Sequence, residues 1–450
     1  MDDYELEQIF PSSLQISENI KQLIDRGESA VEEVLNQPLT FRLFRASEPT
    51  IIRYFVNNVD KLLELTFQGE NKDLSAKAFA ILEHMQKDLT KELLNHQKLH
   101  NYALEVIQKT TADNMFMLNR LMALTLAVIY FDPVAVTQSC GFLLQLIQML
   151  YEPTVLNLFE VLCTDNDENG YVQKWLIKMG FVEIVLGEID SFTETKLTDT
   201  SRLSTEANQI YGLFRIVCIC GSSPILGPKF SNYHFVNILN LKVGCYPKFV
   251  EYQRWEAITA LYNKQTKEMM RGLFPSAIEI LQDPTISITR SGISSLELLS
   301  LMVLLDDGLL DFFISMDVST IVINLVISNP EHTHLHFSAL DYFKYSFQNK
   351  KMLSTLCETI PDIIILHFKG RNHSLRFFMY KLLKAFIKAI KSKSKILSKM
   401  KNNKALNELL KTEFTNYQHI IDAQYGNFYN LFEHDDAQKL AKKTIQNLGL

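Results

Sequence analysis

Apolar residues recur at three- and four-residue steps along almost the whole chain. Leu74, Ala78, Ile81, Leu82 and Met85 fall on one face of a helix with 3.6 residues per turn. Val155, Leu158, Phe159 and Leu162 repeat that spacing, as do Leu296, Leu299, Met302 and Val303. No run alternates apolar and polar residues between turn signals as a strand does. Asp132-Pro133, Glu152-Pro153, Asp283-Pro284 and Asn329-Pro330 each set an acidic or capping residue before a proline suited to a first helical turn, and so predict helix starts. Gly170, Gly180, Gly221 and Gly308 follow or interrupt apolar runs and predict helix ends.

Many of these helices carry apolar residues on more than one side, Met115 to Tyr130 most plainly. A helix stacked between neighbouring repeats buries such a broad face, whereas a helix lying on a single core does not need one. The punctuation divides the chain into helical hairpins of about 35–50 residues, the range of armadillo and HEAT repeats. The predicted fold is therefore all-α: an armadillo/HEAT-like α-solenoid of divergent helical repeats.

Residues 1–27 read as an acidic helical lead-in, 28–430 as the repeat domain and 431–450 as a C-terminal helix. The polar segment Ser191 to Thr205, and Gly221 to Pro247 with its prolines, suggest a hinge within residues 191–247.

Composition supports this picture. Only 16 glycines and 12 prolines among 450 residues leave too few turn formers for sandwiches, barrels or doubly wound sheets. The six cysteines lack framework spacing and lie mostly in apolar runs such as Arg215 to Cys220, as buried thiols of a reducing compartment do. The start, Met1 to Glu7, is acidic and unlike a signal or transit peptide. The longest uncharged apolar run, Leu121 to Phe131, falls short of the roughly 18 residues of a membrane span. The expectation is a chain without a transmembrane segment, in the cytoplasm and with access to the nucleus.

Candidate chemistry is sparse. Asp165, Asp167, Asn169 and Gly170 reproduce the opening of a calcium-binding loop, but the position that should supply the final bidentate carboxylate is Leu176. His96 and His100 share a helical face without the glutamate of a zinc-protease motif. His332 and His336 share another, where a third ligand would be needed to hold zinc. No phosphate-cradling glycine loop, nucleophile elbow or kinase signature is present. These residues predict a protein that is not an enzyme and holds no cofactor or metal.

Charge is more informative. Between Asp362 and Glu408 the chain carries twelve lysines and arginines and no carboxylate, so the rest of a chain of net charge −6 sums to −18. Lys381, Lys384, Lys388, Lys391 and Lys395 step along one helical face, with Phe378, Leu382, Phe386 and Ile390 on the other. Such a stripe is a solvated face, or it docks an acidic protein partner, an anionic membrane surface or nucleic acid, of which only the acidic protein suits a chain whose other surface is acidic. Nucleic acid calls for a wider basic footprint with stacking aromatics, and is not expected.

Ordered short matches spread over residues 28–430 resemble the SAPS-domain family, the regulatory subunits of type 2A-like Ser/Thr phosphatases of the protein phosphatase 6 class. They are Ser29-Ala-Val-Glu-Glu-Val-Leu35 with Thr50-Ile-Ile-Arg-Tyr-Phe55, Pro153 to Phe159 with Trp175-Leu176 and Phe181 to Val185, and Thr289-Arg290 before Leu296 to Leu299. Thr320 to Leu325, Asn329-Pro330 and Leu335-His336 complete the order. Of the family's Asn-Asn-Phe-Leu-His motif only Leu335-His336 survives, and its long polar C-terminal tail has no counterpart here. The resemblance implies a short, divergent, non-catalytic regulatory or scaffold subunit. It would bind a type 2A-like phosphatase catalytic subunit and direct its substrate choice, with an ankyrin-type or scaffold subunit as a further partner. It also implies a structural role for His336. The alternative is an armadillo-like adaptor for trafficking, cytoskeletal or nuclear-transport partners.

Overall fold

Side-chain caps fix where the helices of this protein begin. Asn71 accepts from the Asp73 and Leu74 amides, Ser204 from Ala207, Thr289 from Gly292, Asn349 from Lys351 and Met352, and Asn372 from Leu375. Each supplies an acceptor to first-turn N–H groups that have no partner within the helix. The computed structural model describes residues 13–25, 30–95, 98–110, 115–164, 170–193, 204–232, 236, 246–282, 288–391 and 393–422. Among these residues there are helices and no strands, and the fold is an all-α, armadillo/HEAT-like solenoid. The expected lead-in includes a helix, Ser13–Asp25, while the expected C-terminal helix 431–450 lies outside the described residues.

The chain divides into two compact units, Met1–Phe230 and Ser231–Leu450; the division falls within residues 191–247, where the sequence suggests a hinge. In the first unit, helices Val59–Gln68 (α1) and Lys72–Glu83 (α2) pair. A ladder then runs from α2 through Met115–Phe131 (α3) and Pro153–Cys163 (α4) to Thr205–Ser222 (α5). Helix α3 shows why its apolar pattern wraps around. Leu118, Leu121, Met122, Leu124, Val128 and Ile129 are all buried, on several sides of one helix. Gly212 of α5 lies so close to the Leu150 backbone that a Cβ would come within 2.8 Å of its carbonyl oxygen, so this crossing requires glycine.

A buried cation locks α3 onto α2. Arg120 donates to the Thr66 carbonyl at 3.0 Å and to the Ser75 hydroxyl, while its guanidinium lies 4.1 Å from the Phe116 ring centroid and 5.4 Å from that of Phe79. These hydrogen bonds and aromatic faces offset its desolvation.

The second unit repeats the design. Lys248–Leu261 (α6), Phe274–Gln282 (α7), Arg290–Leu305 (α8), Val318–Ser328 (α9), Thr333–Gln348 (α10), Lys350–Phe368 (α11) and His373–Ile390 (α12) form successive hairpins. The helices α6, α8, α10 and α12 lie side by side as one layer, backed by α7, α9 and α11. Small residues of α8 and α10, Ser294, Ser295, Ser300, Ser338 and Ala339, are buried in this layer. Polar ties cross the layer: Thr259 of α6 donates to the Ser294 carbonyl at 3.2 Å, and Ser338 of α10 donates to Glu297 of α8 at 2.9 Å.

Some punctuation differs from expectation. Pro153 does open a helix, and Asp132 caps the Val134 amide after Pro133. Asn329 instead closes α9, its amide donating to the Leu325 carbonyl at 2.9 Å, and α10 starts three residues after Pro330 with His332 as cap. Gly170 opens a helix, Gly170–Lys178, whereas Gly180, at φ +84°, terminates it as a left-handed residue. No single described helix is long and apolar enough to cross a membrane. One bent pair, Asp307–Ser315 and Val318–Ser328, has the length and composition, but its Phe313, Val318, Val322 and Val326 are buried in the helical layers.

Removing the Arg120 lock is expected to destabilise the protein. Arg120→Ala removes the donor to the Ser75 hydroxyl, takes one of two donors from the Thr66 carbonyl, which Ser75 still serves at 3.1 Å, and opens a cavity under Phe116. A loss of about 2–4 kcal/mol is expected in chemical unfolding followed by circular dichroism. A change below about 0.5 kcal/mol would contradict the role assigned to this side chain.

Candidate functional site

The ladder of the second unit is tight between α8 and α10 and looser between α10 and α12, because phenylalanines replace small residues there. His336 of α10 stacks on Phe378 of α12 with ring centroids 5.3 Å apart, and Phe347 meets Phe386 edge-on at 5.5 Å. Above this floor runs a groove of about 1210 Å³. Phe337, 64% exposed, and Phe377, 38% exposed, stand on its two rims, and Leu340, Ala385 and Ala389 continue its apolar lining. Lys344 rises from α10, Lys381, Lys384 and Lys388 from α12, and Lys393 from the turn beyond. Among the described residues, no carboxylate lines it.

Both rims are built on one register. The caps His332 and Asn372 stand forty positions apart, and so do Leu335 and Leu375, whose amides they receive. The same offset relates Phe337 to Phe377 and Lys344 to Lys384. Two equivalent helices therefore present an aromatic residue in their first turns and a lysine two turns later. The groove consequently has an aromatic end and a lysine end. At the aromatic end the loop residue Glu331 accepts from the Asn372 amide and, at 3.1 Å, from the Ser374 hydroxyl, which fixes the start of α12 against that of α10.

The lysine heads are held over rings. The Lys381 ammonium lies 5.1 Å from the Phe377 centroid, and that of Lys384 lies 5.7 Å from the Tyr380 centroid. Each such contact is worth about 0.5–1 kcal/mol at an exposed site. Lys344 pairs with Asp341, one turn back on α10, at 2.7 Å. Lysines concentrated on one wall make the site attractive to anions, and its phenylalanines offer area to an apolar side chain.

Of the five lysines singled out in the sequence, Lys381, Lys384 and Lys388 line the groove. Lys391 is exposed just past the end of α12 and is not among the lining residues. Lys395 belongs to the next helix, Ser394–Lys401 (α13), and its side chain is outside the described residues. The single helical face expected for all five is thus broken. A turn closed by the Lys393 N–H to the Ile390 carbonyl, at 2.8 Å, ends α12. Repulsion between lysines one turn apart and the serines around Lys393 both disfavour continuation.

The other candidate residues serve the fold or lie beyond description. His332 Nδ1 accepts the Leu335 amide at 3.2 Å as a helix cap. His336 is buried in the groove floor with its Nε2 unpartnered. Residues 165–169 of the calcium-like loop and His96 lie outside the described residues, and Leu176 is fully buried. His100 packs against Phe142 at 6.2 Å. Missing from the sequence reading were Phe337 and Lys344, although the forty-residue register was there to find them.

Burial holds the His336 imidazole below its usual value of 6.5, opposed by a hydrogen bond to the Asn329 backbone; neighbouring His332 lowers it further and Glu331 raises it. Because the folded value is depressed, the unfolded chain takes up this proton first as pH falls. Stability should therefore decline as pH drops below about 6.5, the ordinary histidine value. Unfolding of a Trp175→Phe variant, read by the fluorescence of buried Trp255, should lose more stability between pH 7.5 and 5.5 than the same variant carrying His336→Leu. Parallel pH profiles would contradict this placement of His336.

No family model and no curated protein matches the sequence. Solved structures do. An engineered protein is similar at TM-score 0.50 and 12% identity, over 96% of this chain and 99% of its own. A mutant of Kap121p is similar at TM-score 0.50 and 11% identity, over 99% of this chain and 51% of its own. This chain thus spans about half the length of that Kap121p chain. At such identities the likeness is one of fold: a solenoid of stacked helical hairpins.

Proposed function

We propose that this protein is a non-catalytic helical-repeat adaptor, and that the groove between α10 and α12 docks an acidic segment of a protein partner bearing large apolar anchors. The groove's composition carries the reading. Phe337 and Phe377 offer anchor sites at one end, five lysines line the groove from Lys381 beside Phe377 onward, and no carboxylate is among the described lining residues. An apolar groove on paired helices suits an amphipathic helix with anchors at i, i+3, i+4 and i+7. The lysines would steer acidic partners and set their orientation. The acidic remainder of the chain argues against nucleic acid, whose phosphates it would repel.

An adaptor role of this general kind needs no particular partner, and the solenoid fold is compatible with it. A type 2A-like phosphatase catalytic subunit is the more specific partner, and it rests on the ordered SAPS-like matches alone. Co-purification of such a subunit in near-equal amount from native extract would support that choice, and its absence would leave the broader adaptor reading.

Docking itself is tested with a defined probe: a fluorescein-labelled synthetic helix with Phe and Leu anchors and flanking glutamates, beside a counterpart with lysine flanks. The acidic helix should bind, and raising salt should weaken it. Combined Lys381→Glu, Lys384→Glu and Lys388→Glu should weaken it at least tenfold, a change of about 1.4 kcal/mol. Equal binding of both helices, or binding untouched by the three reversals, would show that these lysines form only a solvated face.

A further inference from the structure

We infer that residues 425–436 of this chain are the resting occupant of the groove, so that the C-terminal segment competes with docking partners. This rests on the docking reading above and adds a regulatory layer to it. The segment's sequence matches the groove's two ends. Tyr425, Phe428, Tyr429, Leu431 and Phe432 supply apolar anchors, with Tyr425, Phe428 and Phe432 at three- and four-residue steps. Glu433, Asp435 and Asp436 follow at once, and they are all the carboxylates of residues 423–450. Aromatic anchors followed by acids mirror a groove whose aromatic end gives way to lysines.

The helix that precedes this segment packs against α12. The last described helix, Thr415–Asp422 (α14), is seated on α12. The Arg376 guanidinium lies 4.6 Å from the Tyr417 centroid, the Tyr380 hydroxyl donates to Gln418, and the Tyr380 and Tyr417 rings meet at 5.5 Å. Tyr380 also stacks on Phe377, at 6.4 Å, and Phe377 is the groove's aromatic rim. Two ring contacts, Tyr417 to Tyr380 and Tyr380 to Phe377, thus join α14 to the groove rim. The residues from Asp422 to Phe428 can span about 20 Å when extended. A tether this short gives an effective concentration on the order of 1 mM, so even a weak contact, with a Kd on the order of 0.1 mM, keeps the groove about nine-tenths filled.

The test uses the full-length chain and a labelled peptide of residues 424–438. A tail variant combines Phe428→Ser and Phe432→Ser with Glu433→Lys, Asp435→Lys and Asp436→Lys. The peptide should bind this variant about tenfold more tightly than the wild type, and adding the Lys381→Glu, Lys384→Glu and Lys388→Glu reversals should abolish that binding. Independently of the variant's folding, zero-length carbodiimide coupling of the wild-type monomer should link Glu433, Asp435 or Asp436 to Lys384, Lys388 or Lys393. Equal peptide binding to wild type and variant, no binding to either, or links confined to a dimer would overturn the proposal. The synthetic acidic helix separates the two readings. If it binds wild type and tail variant equally but loses affinity on lysine reversal, docking stands and tail competition falls. If lysine reversal leaves it unaffected, the docking reading falls as well.

Discussion

A repeat helix cannot bury its apolar faces alone, and the architecture of each unit follows from that constraint. The hairpins supply two layers, and every helix in the layer α6, α8, α10 and α12 must be covered by its neighbours. Side-chain size then sets the spacing along the layer. Small residues buried on α8 and α10, among them Ser295, Ser338 and Ala339, let the two helices close up, and Ser338 ties them by donating to Glu297. Between α10 and α12 the partners are His336, Phe347, Phe378 and Phe386. Their bulk fills the floor and leaves the upper faces apart, and the groove is the space that results. Burial raises the Glu297 carboxyl above its ordinary value, opposed by the hydrogen bond from Ser338.

The chemistry of the groove is a by-product of the repeat as much as of any single residue. Equivalent positions forty residues apart bring Phe337 and Phe377, and Lys344 and Lys384, to one groove. The shared register gives each wall an aromatic residue followed by a lysine two turns later, and Lys381 and Lys388, where α10 has Asp341 and Gln348, make the α12 wall the more cationic. Glu331 and the two capping residues then fix the helix starts, so that the gradients are aligned. Lysine heads held over Phe377 and Tyr380 lose less freedom on binding an anion than lysines on a bare helix would.

Helical periodicity was legible because it is local. Leu74 to Met85 or Leu296 to Val303 announce a buried stripe whatever lies opposite. Breadth of burial was legible too, since Met115 to Tyr130 could be satisfied only between neighbours. Punctuation was less secure: Asn329-Pro330 reads as a start, yet Asn329 closes a helix and His332 opens the next. The lysine stripe was half legible. Three of its members share the groove, but the turn at Ile390 to Lys393 separates the rest. The opposite wall was invisible to a reading of one helix at a time, because which helix lies beside α12 is decided by stacking.

Hydrogen exchange of the full-length chain, with and without the glutamate-flanked helix probe, bears most directly on the groove as a docking site. Binding should slow exchange in Thr333–Gln348 and His373–Ile390, and the effect should vanish when Lys381, Lys384 and Lys388 are reversed to Glu. Protection confined to other helices, with α10 and α12 unchanged in a saturated complex, would contradict the account.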